Sequence, residues 1–262
     1  MNIFKLTLVF CILLGSSIAQ AQEMPDSSST NKDTSSIAPI YYNIGVGLLN
    51  YRGDIGAIKD LGTTENLQIG FHAGAEYKIT SSIGISLNGG YATLTKNERN
   101  GDDNRNFQSK VINAGLSASF HFANGSILAE NYPIAPFISI GIDFLSFNSK
   151  TDSLDASGNQ YFYWQDGSIR NIAQNQTNFG TKLARDYEYE TKISSNDKNN
   201  IPFAFPIALG FDFEINSYLR ARIKQSVSIT NSDIIDGFKG GKTNDVLMYS
   251  SLSFVFNPSG LG

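Results

Sequence analysis

The chain has 262 residues, 20 basic and 24 acidic side chains, a formal net charge of -4 and a pI near 5.2. That balance excludes the basic surface a nucleic-acid partner would need. The single cysteine, Cys11, excludes a disulfide framework and a cysteine-based metal centre. With 24 Gly, 18 Phe, 12 Tyr and 7 Pro, the composition suits long twisted strands more than helices.

The N-terminus opens with Lys5, an apolar run from Leu6 to Leu14, and Ala19-Gln20-Ala21. This is the pattern of a secretory signal peptide over residues 1–21, with cleavage expected after Ala21. The apolar run is too short for a comfortable membrane helix. Residues 22–40 begin with a polar, Ser/Thr-rich stretch and are expected to form a disordered periplasmic leader.

Beyond the leader, segments of ten or more residues alternate apolar with small or polar side chains. Eight are expected as strands: about 41–51, 66–79, 83–95, 108–122, 136–148, 202–215, 219–230 and 245–256. In 67–79, Leu67, Ile69, Phe71, Ala73, Ala75, Tyr77 and Ile79 share one face. In 203–215 the odd positions are Phe203, Phe205, Ile207, Leu209, Phe211, Phe213 and Ile215. Several segments exceed the usual soluble strand and match the length of a tilted membrane strand. The connections at 80–82 and 216–218 are tight and that at 123–133 is moderate, whereas 52–65, 96–107, 149–201 and 231–244 are long and polar. Short turns at one end and long loops at the other describe an outer-membrane barrel. The expected fold is therefore all-β: an eight-stranded antiparallel up-and-down transmembrane β-barrel over 41–257, with one long structured extracellular loop at 149–201.

Strand 219–230 sets the polarity of the wall. Arg220, Arg222 and Lys224 alternate with Leu219, Ala221 and Ile223. In lipid the apolar face meets acyl chains, so the charges point inward and need partners. If 215 and 219 flank a tight turn, Glu214 stands opposite Arg220 and Asp212 opposite Arg222, a favourable cross-strand arrangement. The expected interior network is Glu76, Asp143, Asp212 and Glu214 against Lys78, Arg220, Arg222 and Lys224. An eight-stranded barrel is only wide enough for side chains to fill, so a plugged, salt-bridged core without an open channel is expected. Tyr42, Tyr77, Phe107, Phe203, Phe205 and Phe256 are expected in the interfacial girdles.

The residues resemble a known group, the small OmpA-like outer-membrane β-barrels in the form common among Bacteroidota. The likeness covers about 41–256. It rests on the signal peptide, the eight segments, "NYRGDIG" after strand one, "APFISIGIDFLSFNSK" for strand five and a Phe-ending last strand. No second, peptidoglycan-binding domain is expected. The resemblance implies a fold and a location and leaves the activity open.

No catalytic constellation stands out. His72 and His121 both fall on inward faces, without a third ligand at fixed spacing, so hydrogen-bonded interior imidazoles are expected rather than a metal site. No enzyme activity, metal or cofactor is expected. Loop 149–201 is aromatic, with Tyr161, Tyr163, Trp164, Tyr187 and Tyr189, and is expected to form a hairpin extension or a folded cap whose exposed rings make a contact site. The expected role is a structural or protein-interaction component of the outer membrane, an accessory subunit of a secretion or barrel-assembly complex. Its expected partners are outer-membrane lipids, lipopolysaccharide and another outer-membrane protein. A narrow pore, a surface receptor and a soluble periplasmic ligand-binding barrel, with its apolar face turned inward, are the alternatives.

Overall fold

A computed structural model describes residues 40–52, 68–97, 105–193, 202–231, 235 and 245–258. The expected signal peptide, the leader up to residue 39 and parts of the long loops lie outside the described residues. Eight long strands form the wall: β1 (Ile40–Arg52), β2 (Gln68–Lys78), β3 (Ile83–Asn97), β4 (Asn106–His121), β5 (Ile134–Thr151), β10 (Phe203–Asn216), β11 (Leu219–Thr230) and β12 (Val246–Phe256). Four two-residue strands lie between β5 and β10: β6 (Phe162–Tyr163), β7 (Ile169–Arg170), β8 (Lys182–Leu183) and β9 (Thr191–Lys192). Each long strand pairs antiparallel with its neighbours, β12 pairs with β1, and β5 pairs with β10. The sheet is thus a closed eight-stranded up-and-down barrel without a free edge.

Alternation explains the wall. Ile44, Phe71, Leu87, Ile140 and Phe254 are at least half exposed, whereas Glu76, Asp212 and Arg222 are at most 8% exposed. A wall that shows its apolar side chains outward and buries its charges is stable only in hydrocarbon. This excludes the soluble carrier, whose apolar face would look inward. On β5 the outward positions Pro136, Ile138, Ile140, Ile142 and Phe144 are apolar, and the next two, Ser146 and Asn148, are polar and exposed. The apolar stretch runs roughly 27 Å along the strand, enough to cross most of a bilayer core at barrel tilt. The strands continue past this boundary. β3 and β4 pair up to Asn97↔Asn106, and β5 pairs with β4 up to Gln108↔Lys150.

The short-turn end is locked by side-chain caps. Thr80 Oγ1 accepts the Ser82 and Ile83 amides. Asn216 Oδ1 accepts the Tyr218 and Leu219 amides, at 3.1 and 2.9 Å. Asn124 Oδ1 accepts those of Ser126 and Ile127, with Gly125 between them at φ 81°, a left-handed conformation open to glycine.

Candidate functional site

The interior is built in layers. Nearest the short-turn end, β2, β4, β10 and β11 bring together Glu76, His121, Asp212 and Arg222. Arg222 Nε and Nη2 donate to Asp212 Oδ1 and Oδ2 at 2.6 and 2.8 Å, and Nη2 also reaches Glu76 Oε2 at 3.2 Å. His121 Nε2 lies 2.6 Å from the other Glu76 oxygen, so its N–H donates to the carboxylate. The guanidinium stacks over Phe137, 4.4 Å from the ring centroid. Two carboxylates, one guanidinium and one imidazole satisfy one another away from water, which is the condition for burying charge.

The other expected members of the network stand apart from this knot. Glu214 faces Arg220 across the β10–β11 pair but is exposed, and among the described residues the two form no ion pair. Arg220 and Lys78 instead flank the ring of Tyr41, at 5.6 and 5.1 Å. Together with Glu130, Tyr132 and Glu214 they line a cup of about 650 Å³ open at the short-turn end. Glu214 keeps its register opposite Arg220, and the register shift falls beyond it, before Asn216. Asp143 accepts from Asn113 Nδ2 at 2.9 Å and shares a chamber of about 130 Å³ with Lys224, without closing an ion pair.

In the same chamber Tyr249 donates its hydroxyl to the Gly70 carbonyl at 3.0 Å and sits 3.0 Å from His72 Nδ1. The hydroxyl has one proton and the carbonyl can only accept. His72 therefore carries its proton on Nδ1 and donates to Tyr249. Both histidines are hydrogen-bonded interior side chains, and the described residues contain no group of three or more metal-ligating side chains.

Above the chamber lies a layer that the alternation of the strands does not announce. Leu49, Tyr51, Ala92, Leu94, Phe107, Val111, Leu145, Ala204, Ile235 and Leu247 form a buried apolar plug. Tyr51 and Phe107 meet edge to face at 5.5 Å. Phe107, expected in the girdle, is fully buried here, because its odd position in β4 points inward. Tyr42, Tyr77 and Phe205 do lie on the outer face, about half exposed. The missed signal was a local loss of alternation. Leu48-Leu49, Val111-Ile112, Phe144-Leu145 and Val246-Leu247-Met248 are apolar on both faces toward the long loops. Tyr51 donates to Asp245 at 2.7 Å, and Asp245 accepts the Ile235 amide at 2.9 Å, so a buried carboxylate ties the last loop to the plug.

No protein-family model matches the sequence and no curated protein is similar to it. Several solved structures are similar in shape. Neisserial surface protein A superposes with a TM-score of 0.46 at 9% identity, covering 83% of this chain and 96% of that one. Ail, the attachment invasion locus protein of Yersinia pestis, gives 0.41 at 10%, covering 84% and 98%. The outer membrane protein OprG from Pseudomonas aeruginosa gives 0.36 at 11%, covering 84% and 93%. The closure and polarity of the barrel rest on its own register and burial.

The second candidate region is the segment between β5 and β10. It is folded in its described part: β9 pairs with the end of β5, and β6, β7 and β8 form a separate three-stranded sheet. Arg170 stacks on Trp164 at 4.2 Å, donates to the Phe179 carbonyl and pairs with Asp166 at 3.1 Å. Trp164 Nε1 donates to the Ile172 carbonyl at 2.9 Å. Asp155 accepts the Ser157 and Asn159 amides, which lowers its pKa and uses its carboxylate within its own turn. Of the five expected contact aromatics, Tyr161 and Trp164 are buried inside the loop, so little of either ring is left for a partner. Tyr163 and Tyr189 are half-buried, and Tyr187 is 61% exposed. Phe179, not singled out in the sequence, is 62% exposed. Arg185 and Tyr189 both reach Asn97 Oδ1 on β3, at 3.3 and 3.2 Å, which fixes the loop against the rim.

Proposed function

We propose that the protein is a non-enzymatic barrel of the outer membrane, closed to solutes, that acts as a structural or interaction component through the folded loop at 149–201. One observation carries this reading: the interior is shut twice, by the plug around Phe107 and by the Glu76–Arg222 cluster, while the loop is built to hold its shape and to expose Phe179 and Tyr187. A filled barrel offers its surface for use, and a rigid aromatic loop above the membrane is the part that a second protein can reach. The acidic pI and the apolar belt agree with an exported membrane protein. The resemblance to small OmpA-like barrels supports the outer membrane as its location. A folded loop standing above the membrane supports an accessory place in a larger outer-membrane assembly.

Two measurements test the proposal. The protein in planar bilayers should give no stepwise conductance; well-defined channels would replace this reading with that of a narrow pore. Removing 155–186 should leave the barrel folded and change the proteins that copurify from gently solubilised membranes. An unchanged set overturns the interaction role.

A further inference from the structure

We propose that the lipid-facing wall carries a binding groove at the β5–β10 seam, which takes an acyl chain bearing a hydroxyl group. The starting point is a gap in the ladder. The β5–β10 register keeps one offset from Phe203↔Phe144 to Phe213↔Ile134, yet Phe205 and Pro206 have no paired partner within it. One missing donor explains both gaps. The N–H and C=O of a strand residue point toward the same neighbour. The Pro202 carbonyl accepts the Leu145 amide, the Glu214 amide donates to the Pro133 carbonyl and the Phe203 carbonyl accepts the Asn231 amide, so even positions of β10 face β5 and the Pro206 nitrogen does too, where the offset sets Gly141 opposite. Proline has no N–H. The Gly141 carbonyl therefore lacks the ladder donor that every other arrangement of this pair would supply.

Proline in a sheet is ordinarily confined to an edge, where water replaces the lost bond. Here both strands lie in the wall of a closed barrel with hydrocarbon outside, and an unsatisfied carbonyl in hydrocarbon is costly. The interior offers little help. Ala204 and Ala208 point inward, 1% and 7% exposed, so by parity the Pro206 ring also lies on the inner side and covers the seam from the chamber that it lines. On the outer side the seam is open. A groove of about 710 Å³ lies over it, walled by Leu116, Ile140, Ile142, Phe205 and Ile207, with the short side chain of Ala118 keeping its floor low beside the Gly141 backbone. On the inner side Gly141 has no room for a side chain, since a Cβ there would stand 2.5 Å from the Leu116 carbonyl oxygen and 2.8 Å from Ser117 Cβ.

Depth selects the occupant. The Gly141–Pro206 pair lies three residues below Phe144↔Phe203, where the outer face of β5 turns polar at Ser146, so it is roughly 10 Å along the strands inside the boundary on the long-loop side. Acyl chains fill that zone and water is scarce in it. A plain chain matches the apolar walls and leaves the carbonyl orphaned. A chain with a hydroxyl matches the walls and donates to the carbonyl.

The full chain in lipid nanodiscs tests this. Two kinds of lysophospholipid compete for it and native mass spectrometry reads the retention: one with a plain tetradecanoyl chain, the other with a hydroxyl at the third or the seventh carbon of that chain. The wild-type protein should retain at least one hydroxylated lipid several-fold over the plain one. Pro206→Ala restores an N–H to Gly141, should fold at least as well, and should retain hydroxylated and plain lipids equally. Ala118→Leu fills the groove on a lipid-facing position and should lower the retention of both. Equal retention by the wild-type protein, or a hydroxyl preference that survives Pro206→Ala, overturns the proposal.

Discussion

Arg222 on β11 and Asp212 on β10 face each other across the strand pair and are joined by two charge-assisted hydrogen bonds of 2.6 and 2.8 Å. The second arginine nitrogen also holds Glu76, which in turn accepts a hydrogen bond from the His121 N–H. Arg222 is the only cation of the knot that is charged whatever the state of His121. Arg222→Ala should leave two buried carboxylates uncompensated and cost about 3–5 kcal/mol. Urea unfolding in lipid vesicles, followed by far-ultraviolet circular dichroism of the barrel, measures it. Glu214→Ala, at an exposed position without an ion-pair partner, should stay within about 0.5 kcal/mol. Equal effects of the two would show that the cluster does not hold the barrel.

Phe107 has no exposed surface and anchors the plug against Tyr51. Phe107→Ala should cost about 3–5 kcal/mol, the usual range for an aromatic deleted from a core. It should also open the upper of the two closures. The Glu76–Arg222 cluster still blocks the barrel below it, so conductance should appear only when Phe107→Ala is combined with a break in that cluster. Bilayer recordings of the single and double variants decide whether the two layers close the lumen in series.

The register of the wall was legible because the side-chain period of a strand is two and lipid makes a mistake in parity costly. From Asp212, Arg222 and the tight turn between them, the facing pair followed directly. Three things were not legible. Around Leu145 both parities are apolar, so alternation carried no information there, whereas Phe107, between Asn106 and Gln108, stands at an odd position of β4 whose parity already points inward. Glu214 keeps its register opposite Arg220 but lies exposed at the end of the strand, and a period-two pattern gives the face of a side chain and not its exposure to water at the barrel's end. The burial of Tyr161 and Trp164 depends on how the short strands β6, β7 and β8 fold over each other, with spacing too irregular to predict from periodicity.

Tyr187 has φ 62°, the only positive value among the described non-glycine residues, and its exposed ring is presented from that left-handed position. Such a conformation costs an ordinary residue about 1–2 kcal/mol. Tyr187→Gly should relieve it, offset in part by the entropy that glycine loses on ordering, so the loop should become as resistant or slightly more resistant to proteolysis. If the ring is a contact, the same variant should lose crosslinking to a partner. Loss of loop structure together with crosslinking would mean that Tyr187 serves the fold of the loop alone.

Asp152 supplies the anchor for that residue. It follows the last residue of β5, is 1% exposed, accepts the Tyr187 amide through Oδ2 at 3.1 Å and faces Arg185 at 3.6 Å. Burial raises its pKa from 3.8 to about 6; Arg185 and the Tyr187 amide oppose the rise, while Asp186 and Glu190 add to it. Because the folded value lies above the unfolded one, the folded loop binds the proton more tightly than the unfolded loop does. The stability linked to this proton is fully present below about pH 4 and is lost as pH rises through about 6. The segment around 152–193 should therefore exchange its amide hydrogens more slowly near pH 4.5 than near pH 7, after correction for intrinsic exchange rates. Asp152→Asn, neutral throughout and still able to accept the Tyr187 amide, should remove most of that pH dependence between 4 and 7. A variant loop with the wild-type pH profile would show that the effect does not originate at Asp152.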